Sequence, residues 1–313
     1  MSSWLILGLA VLALAGAFAY RLVWRAVRQD GAVPTGYGAL IAGFFVFAAV
    51  FAHVPQPFLW ATLLIAVVSA VYWLDDVIEL PVGLRIALQF GTGAGIGYIL
   101  LCSTLFAHPI ALIAVCAAAG CFNAAAANVI NFYDGADLNL ATLMVLTAIS
   151  VLVGGAVSPA LSAMATAVVA FVVPFAAVNS RPKSLYFGDA GSFAFASIVT
   201  ACAILSLRDG DARAAYAAIP LAFPVIDAVY VISLRLKRGE DLLSRTYLYL
   251  YQQMQAKYRN FTYLAPQAVA ILLGSAAAFV LTATGLAPFA AVCITISTVT
   301  PLLYLVCRRS LVG

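Results

Sequence analysis

Long apolar runs, interrupted at short intervals by turn-forming or charged residues, set the pattern of this chain. They fall at roughly 3–21, 37–54, 57–74, 84–106, 110–130, 139–156, 159–178, 190–207, 213–234, 263–284 and 287–306. A helix needs about 20 apolar residues to cross the hydrocarbon core of a bilayer, so the pattern predicts about eleven membrane-spanning helices. Pro55-Gln56-Pro57, His108-Pro109 and Ser158-Pro159 mark tight connections between runs. In the ninth run, Pro220 and Pro224 each remove a backbone donor and crowd the preceding turn, which predicts a bend or break there.

Composition excludes a soluble fold. The 313 residues are 65% hydrophobic and only 9% charged, with a mean hydropathy of +1.07, where soluble domains carry about 25% charged residues. The expected fold class is an all-α polytopic integral membrane protein, with 1–313 forming a single transmembrane catalytic domain. The six cysteines lack CxxC spacing and sit in or beside apolar runs, so they read as small core residues. The net charge of +4 gives no argument for nucleic acid, because the placement of the basic residues follows the membrane. Arg21, Arg25 and Arg28 follow the first run instead of preceding it, the reverse of a secretory signal peptide. That run is expected to be a retained helix with its N-terminus outside the cytoplasm.

With this orientation the cytoplasmic segments are 21–36, 74–85, 131–138, 179–189, 235–262 and 307–313, and fourteen of the sixteen Lys and Arg residues lie in them. The acids, to which the positive-inside rule does not apply, gather at the same end. Asp209 and Asp211 are the exceptions, and Asp227 is the deepest of the acids. Carboxylates collected at one end predict a site at the cytoplasmic boundary. A transporter would place its ionisable groups near the midplane.

Four patches there are more polar than a loop requires. In 72–89, Asp75 and Asp76 are adjacent at the end of a span, with Arg85 and Gln89 following. Neighbouring carboxylates repel unless a cation holds them, although a helix end reaching water would also account for them. In "NVINFYDGADLNLA", 128–141, Asn128 and Asn131 share a helix face, Gly135 permits a turn, and Asp134 and Asp137 follow. A polar turn alone would not place asparagine inside the helix. In 179–192, Arg181 and Lys183 precede Gly188-Asp189-Ala190-Gly191-Ser192, a run whose backbone amides could meet an anion at a helix start and whose Asp189 suits Mg²⁺. In 224–259, Asp227, Arg235, Arg245 and four tyrosines, Tyr249 among them, could equally be headgroup anchors.

In their order these patches resemble the polyprenyl-phosphate N-acetylhexosamine-1-phosphate transferases, the family of phospho-N-acetylmuramoyl-pentapeptide transferase and of the enzymes that start O-antigen and teichoic-acid assembly. "VPTGYGALIAG" (33–43) is similar to the family's early Pro–Gly stretch, and "LDDVIELPVGLRIALQ" (74–89) to its Asp-Asp motif with trailing Arg and Gln. "NVINFYDGADLNLA" matches Asn-x-x-Asn-x-x-Asp-Gly-x-Asp, "FGDAGS" (187–192) matches Gly-Asp-x-Gly-Ser, and "RGEDLLSRTYLYLYQ" (238–252) resembles the last cytoplasmic loop. Two positions depart. Asn139 stands where the family usually has glycine, and Tyr249 stands where it carries a histidine; the only histidines, His53 and His108, belong to the opposite face.

The resemblance implies transfer of a sugar-1-phosphate from a UDP-N-acetyl sugar to undecaprenyl phosphate, with release of UMP, at the inner membrane of a bacterium. Mg²⁺, replaceable by Mn²⁺, would bridge the diphosphate. Asp189 is the expected principal ligand with Asp75 or Asp76 assisting, and these three are the expected catalytic groups. Asn128, Asn131, Asp134, Asp137, Arg85, Lys183, Arg245 and Tyr249 are the expected substrate contacts. The bilayer is a partner, nucleic acid is not, and a homodimer is compatible with the resemblance. Two other classes stay open: a non-catalytic relative that binds nucleotide sugar or lipid, suggested by the missing histidines, and a transporter.

Overall fold

The computed structural model describes all residues except 1–2, 28–31, 79, 106, 156–157, 181–183, 211, 243, 245, 259 and 313. Among the described residues there is no strand. The helices are α1 (Ser3–Val27), α2 (Ile41–Phe51), α3 (Gln56–Ile78), α4 (Val82–Leu105), α5 (Pro109–Phe132), α6 (Asn139–Val153) and α7 (Pro159–Ala167). They continue with α8 (Val173–Asn179), α9 (Asp189–Arg208), α10 (Ala218–Lys237), α11 (Leu250–Tyr258), α12 (Ala265–Ala283) and α13 (Pro288–Val312).

Eight helical stretches have the length and hydropathy to cross a membrane, and three predicted spans are shorter apolar helices, Tyr37–Phe51, Asn139–Val153 and Asp189–Leu205. The all-α membrane class therefore holds, while eleven full crossings are more than length and hydropathy establish. α6 starts right after the acidic turn at 134–138, and α9 begins at the carboxylate of Asp189.

The ninth run shows no break at Pro224. α10 runs unbroken from 218 to 237 through Pro224, and helix type changes from 3₁₀ (Ala212–Ala217) to α just before Pro220. Pro220 thus falls in the first turn of α10, where an amide has no partner within the helix to lose. A deviation does occur between α7 and α8, where a π turn at Val168–Val172 directly precedes Pro174, whose ring removes the N–H that would bond Ala170.

Small residues bring the helices together, as they must where lipid supplies no hydrophobic drive. A Cβ on Gly93 of α4 would lie 2.4 Å from the Ala119 carbonyl of α5. Buried polar side chains then fix the register. Asn123 of α5 donates to the Gln89 carbonyl of α4 at 2.7 Å and accepts from Thr200 of α9 at 3.0 Å. These three helices carry most of the site.

Candidate functional site

The site is built where two remote stretches of backbone cross. The Tyr186 amide donates to the Pro34 carbonyl at 2.8 Å, and the Gly38 amide to the Phe187 carbonyl at 2.9 Å. A Cβ on Gly188 (φ 83°) would lie 2.5 Å from the Gly36 nitrogen, and one on Gly191 2.7 Å from the Gly38 Cα. The glycines of the early Pro–Gly stretch and of Gly-Asp-x-Gly-Ser therefore serve this crossing. The amides at the start of α9 are occupied from within the protein: Asp76 accepts from the Asp189 amide at 3.0 Å and from the Ala190 amide at 3.1 Å. The anion expected at this helix N-terminus is the Asp76 carboxylate.

Asp75, 3% exposed, accepts from the Leu80 amide through Oδ1 at 2.6 Å. Among the described residues its buried Oδ2 takes no hydrogen bond, and Arg85 faces it at 3.7 Å. The same guanidinium reaches Asp189 at 3.3 Å, so Arg85 links the two carboxylates. Asp75, Asp76, Arg85 and Asp189 thus form one cluster. The trio Asp75, Asp76 and Asp189 does not converge as a ligand cage, however, because backbone amides and Arg85 engage the first two.

The 128–139 patch divides by depth. Asn128 points inward, donating to Gln89 Oε1 and to the Ala124 carbonyl, both at 2.8 Å, so it braces α5 against α4. Asn131 and Asp134 face a cavity. Burial, with the negative charges of Asp189 and Asp76 nearby, holds the Asp134 carboxyl well above the usual range, while the Gly188 amide acts in the opposite sense. Asp137 is half-buried and its carboxyl is also raised by burial; its carbonyl accepts from Tyr263 Oη at 2.5 Å. Asn139, fully buried, donates to the Tyr133 carbonyl at 2.8 Å and accepts from Gln267 at 2.9 Å. The departure from glycine thus ties the turn to α12. Asn179 accepts from the Leu138 amide at 2.6 Å, which holds Leu138 at φ 65°.

α10 and the loop after it form the far wall. Arg235, 5% exposed, donates to the Ser244 carbonyl at 3.0 Å and to the Asp241 carbonyl, and pairs with Glu240 at 3.3 Å. Tyr249 is buried, stacked on Phe132 (5.7 Å between ring centres) and on Tyr251 (6.2 Å). Burial, with the Asp227 charge adding, pushes its hydroxyl up to about 12. Tyr251 donates to the Phe132 carbonyl at 2.8 Å, and its Oη would sit 2.1 Å from a Cβ on Gly135. Lys183 and Arg245 lie outside the described residues.

Two cavities of about 570 Å³ each meet at Asp189. One is walled by Asp75, Asp76, Pro81, Val82 and Arg85. The other is walled by Asn131, Asp134, Arg235 and the rings of Phe132, Tyr249 and Tyr251. Sequence reasoning did not reach Phe132, and it left Arg235 and Tyr251 as residues that could equally be headgroup anchors.

The donors suit a hard divalent cation. Asp75 Oδ2 is a buried carboxylate oxygen lacking a hydrogen bond among the described residues, on a cavity wall shared with Asp189, and Asp134, raised first by burial, also feels the negative charges of Asp189 and Asp76. Among the described residues no three carboxylate, His or Cys side chains stand close enough to enclose an ion. Mg²⁺ does not need such an enclosure, since it keeps several waters and takes one or two carboxylates plus substrate phosphates.

Fold and site together define an all-helical membrane protein with a carboxylate- and arginine-lined cleft at one end of its bundle. Residues 58–207 match the model of glycosyl transferase family 4. Over that segment the chain is similar to this family, whose class of activity is that of a transferase. The match includes the Asp-Asp, Asn-x-x-Asn-x-x-Asp and Gly-Asp-x-Gly-Ser stretches and ends before the tyrosine loop. No curated protein matches the chain.

Proposed function

We propose that the protein transfers a sugar-1-phosphate from a UDP-N-acetyl sugar to undecaprenyl phosphate, at the cytoplasmic face of a bacterial inner membrane. The observation that carries this reading is the meeting of two unlike cavities at Asp189. The ring-lined cavity suits a base and sugar, through stacking and asparagine hydrogen bonds. The Asp75–Arg85 cavity has the exposed, apolar Val82 on its wall, and exposed Leu84 and Ile86 flank Arg85 along the chain, which suits a phosphate carried on a lipid.

In the reaction, an oxygen of the lipid phosphate attacks the sugar-bearing phosphorus of the donor. The bond from that phosphorus to the bridging oxygen breaks, and UMP leaves with the electron pair. A phosphate monoester is largely dianionic at neutral pH, since its second pKa lies near 6, so the attack needs no base. Asp75 holds Arg85 for the lipid phosphate, Asp76 fixes the start of α9, and Asp189 with Asp134 holds Mg²⁺, or Mn²⁺ in its place. Bound there, the cation would neutralise the diphosphate and bring two anions together. Asn131, Asp137 and Tyr249 shape the donor cavity, Asn128 braces it, and Lys183 and Arg245 supply positive charge for the phosphates. Eleven crossings with the N-terminus outside place the motifs on the cytoplasmic side.

The test is turnover. Purified protein with undecaprenyl phosphate, Mg²⁺ and a panel of UDP-N-acetyl sugars should release UMP with one of them and stop when chelator is added. Nucleotide binding with no turnover for any donor would favour a non-catalytic relative, and full turnover in excess chelator would remove the cation from the scheme.

A further inference from the structure

Asp227 is fully buried in α10, and the reaction just described gives it no task. Its Oδ2 accepts from Tyr133 Oη at 3.2 Å and from the Leu250 amide at 2.9 Å. Its Oδ1 accepts from Tyr304 Oη at 2.8 Å and faces Arg308 at 3.8 Å. One carboxylate thus joins four elements: α10, the end of α5, the start of α11 and α13.

Two of these partners lead straight to the donor cavity. Tyr133 immediately precedes Asp134, and Leu250 stands between Tyr249 and Tyr251. Arg235, eight residues further along α10, grips the loop at Asp241 and Ser244. α10 therefore holds the aromatic wall at both ends. A buried carboxylate is a costly way to join helices, because apolar side chains of similar volume often stabilise as well or better. It supplies direction instead: two oxygens that accept several donors along fixed lines.

We infer that Asp227 is a positioning residue for donor binding, setting Asp134 through Tyr133 and the Tyr249–Tyr251 wall through the Leu250 amide. This rests on the reading that the ring-lined cavity takes the nucleotide sugar. Asparagine at 227 keeps the size, but the Leu250 amide and Tyr133 hydroxyl then compete for a weaker acceptor. Tyr304 bonds the other oxygen, Oδ1, and is not on the cavity wall, so its hydroxyl is dispensable for donor binding.

The experiment compares Asp227→Asn, Tyr133→Phe and Tyr304→Phe with the native full chain. It uses UMP titration in the presence of Mg²⁺, steady-state kinetics and thermal midpoints. Misplacement on the ångström scale costs up to about a hundredfold, so Asp227→Asn should weaken UMP binding and raise the donor KM by about tenfold or more. The lipid KM should stay within about twofold and the midpoint within about 3 °C. Tyr133→Phe should move the same parameters in the same direction, and Tyr304→Phe should leave them near native values. Unchanged UMP affinity in Asp227→Asn and Tyr133→Phe would overturn the inference. So would a parallel loss of lipid affinity, donor affinity and midpoint, the mark of a merely structural role. If Asp227→Asn does not fold, Tyr133→Phe decides alone. A native protein that binds UMP without turning over any donor would defeat the proposed reaction, while the UMP titrations would still judge Asp227.

Discussion

Asp76 caps the helix that Asp189 begins, accepting from the Asp189 and Ala190 amides at 3.0 and 3.1 Å. α9 has Gly188 before it and gains no side-chain cap locally, so a residue from another helix performs that task. Removing a cap costs about 0.5–2 kcal/mol. Asp76→Ala should lower the thermal midpoint and also abolish turnover, by letting the start of α9 drift from Arg85. Asp76→Asn retains one acceptor and should be intermediate in both. Native turnover in Asp76→Ala would break this link.

Asp134 lies where burial and the charges of Asp189 and Asp76 hold its carboxyl well above the ordinary range. A carboxyl raised in this way gives stability that is fully present below its unfolded pKa and is lost as pH rises through the folded value. Without divalent cation, the midpoint of the native protein should therefore fall on going from mildly acidic toward neutral pH. Asp134→Asn should flatten that slope and be the more stable protein at neutral pH, while losing about a hundredfold or more in turnover. Added Mg²⁺ should stabilise the native protein more than the variant. A lower midpoint for the metal-free variant at neutral pH would count against the assignment.

Gly135 and Tyr251 are in contact, with the phenol oxygen 2.1 Å from where a Cβ would stand. Gly135 has no positive φ, so the conflict in Gly135→Ala is purely steric. It should cost about 1–3 kcal/mol, the usual range for overpacking, and impair donor binding by displacing the ring. Tyr251→Phe alone forfeits the bond to the Phe132 carbonyl, about 1 kcal/mol. The double variant should be closer to Tyr251→Phe than the sum of the two losses. Strict additivity in thermal midpoints would refute the contact.

Tyr249 occupies the position where a histidine was expected, and its hydroxyl titrates only near 12. It therefore stays neutral across the working range. Tyr249→Phe keeps both stacking partners and should cost no more than about 1 kcal/mol in donor binding. Tyr249→His should introduce a pH dependence between about 6 and 7 in kcat/KM, absent from the native and phenylalanine forms. Identical pH profiles for all three would mean that this ring does not face the donor.

Most of the class and the address of the site could be read from sequence, because membrane insertion forces polar residues to one end and the motif spacings keep them together. The division of labour among them could not. Asp76 meets α9 across 113 residues of chain, a distance over which no periodicity reports which oxygen is taken by which amide. Asn128 and Asn131 share a helix face in outline, but only packing turns the first toward Gln89 and the second toward the cavity. Asp227 was readable only as an oddly deep acid, since its four partners come from three other elements. The effect of Pro220 could not be read in advance because it depends on where the α-helix starts, a boundary set by the tertiary fold.

The glycine crossing has a consequence for how this protein can be divided. The segment that matches the family model begins at residue 58, yet Gly36 and Gly38 lie against Gly188 and Gly191 with no room for a side chain on either partner. A fragment trimmed to the matched residues would carry every acidic motif but would leave the Asp189 loop without the strand of backbone that seats it. The smallest transplantable unit is thus discontinuous, so a chimaera that exchanges 184–192 with a relative must bring 33–38 from the same parent.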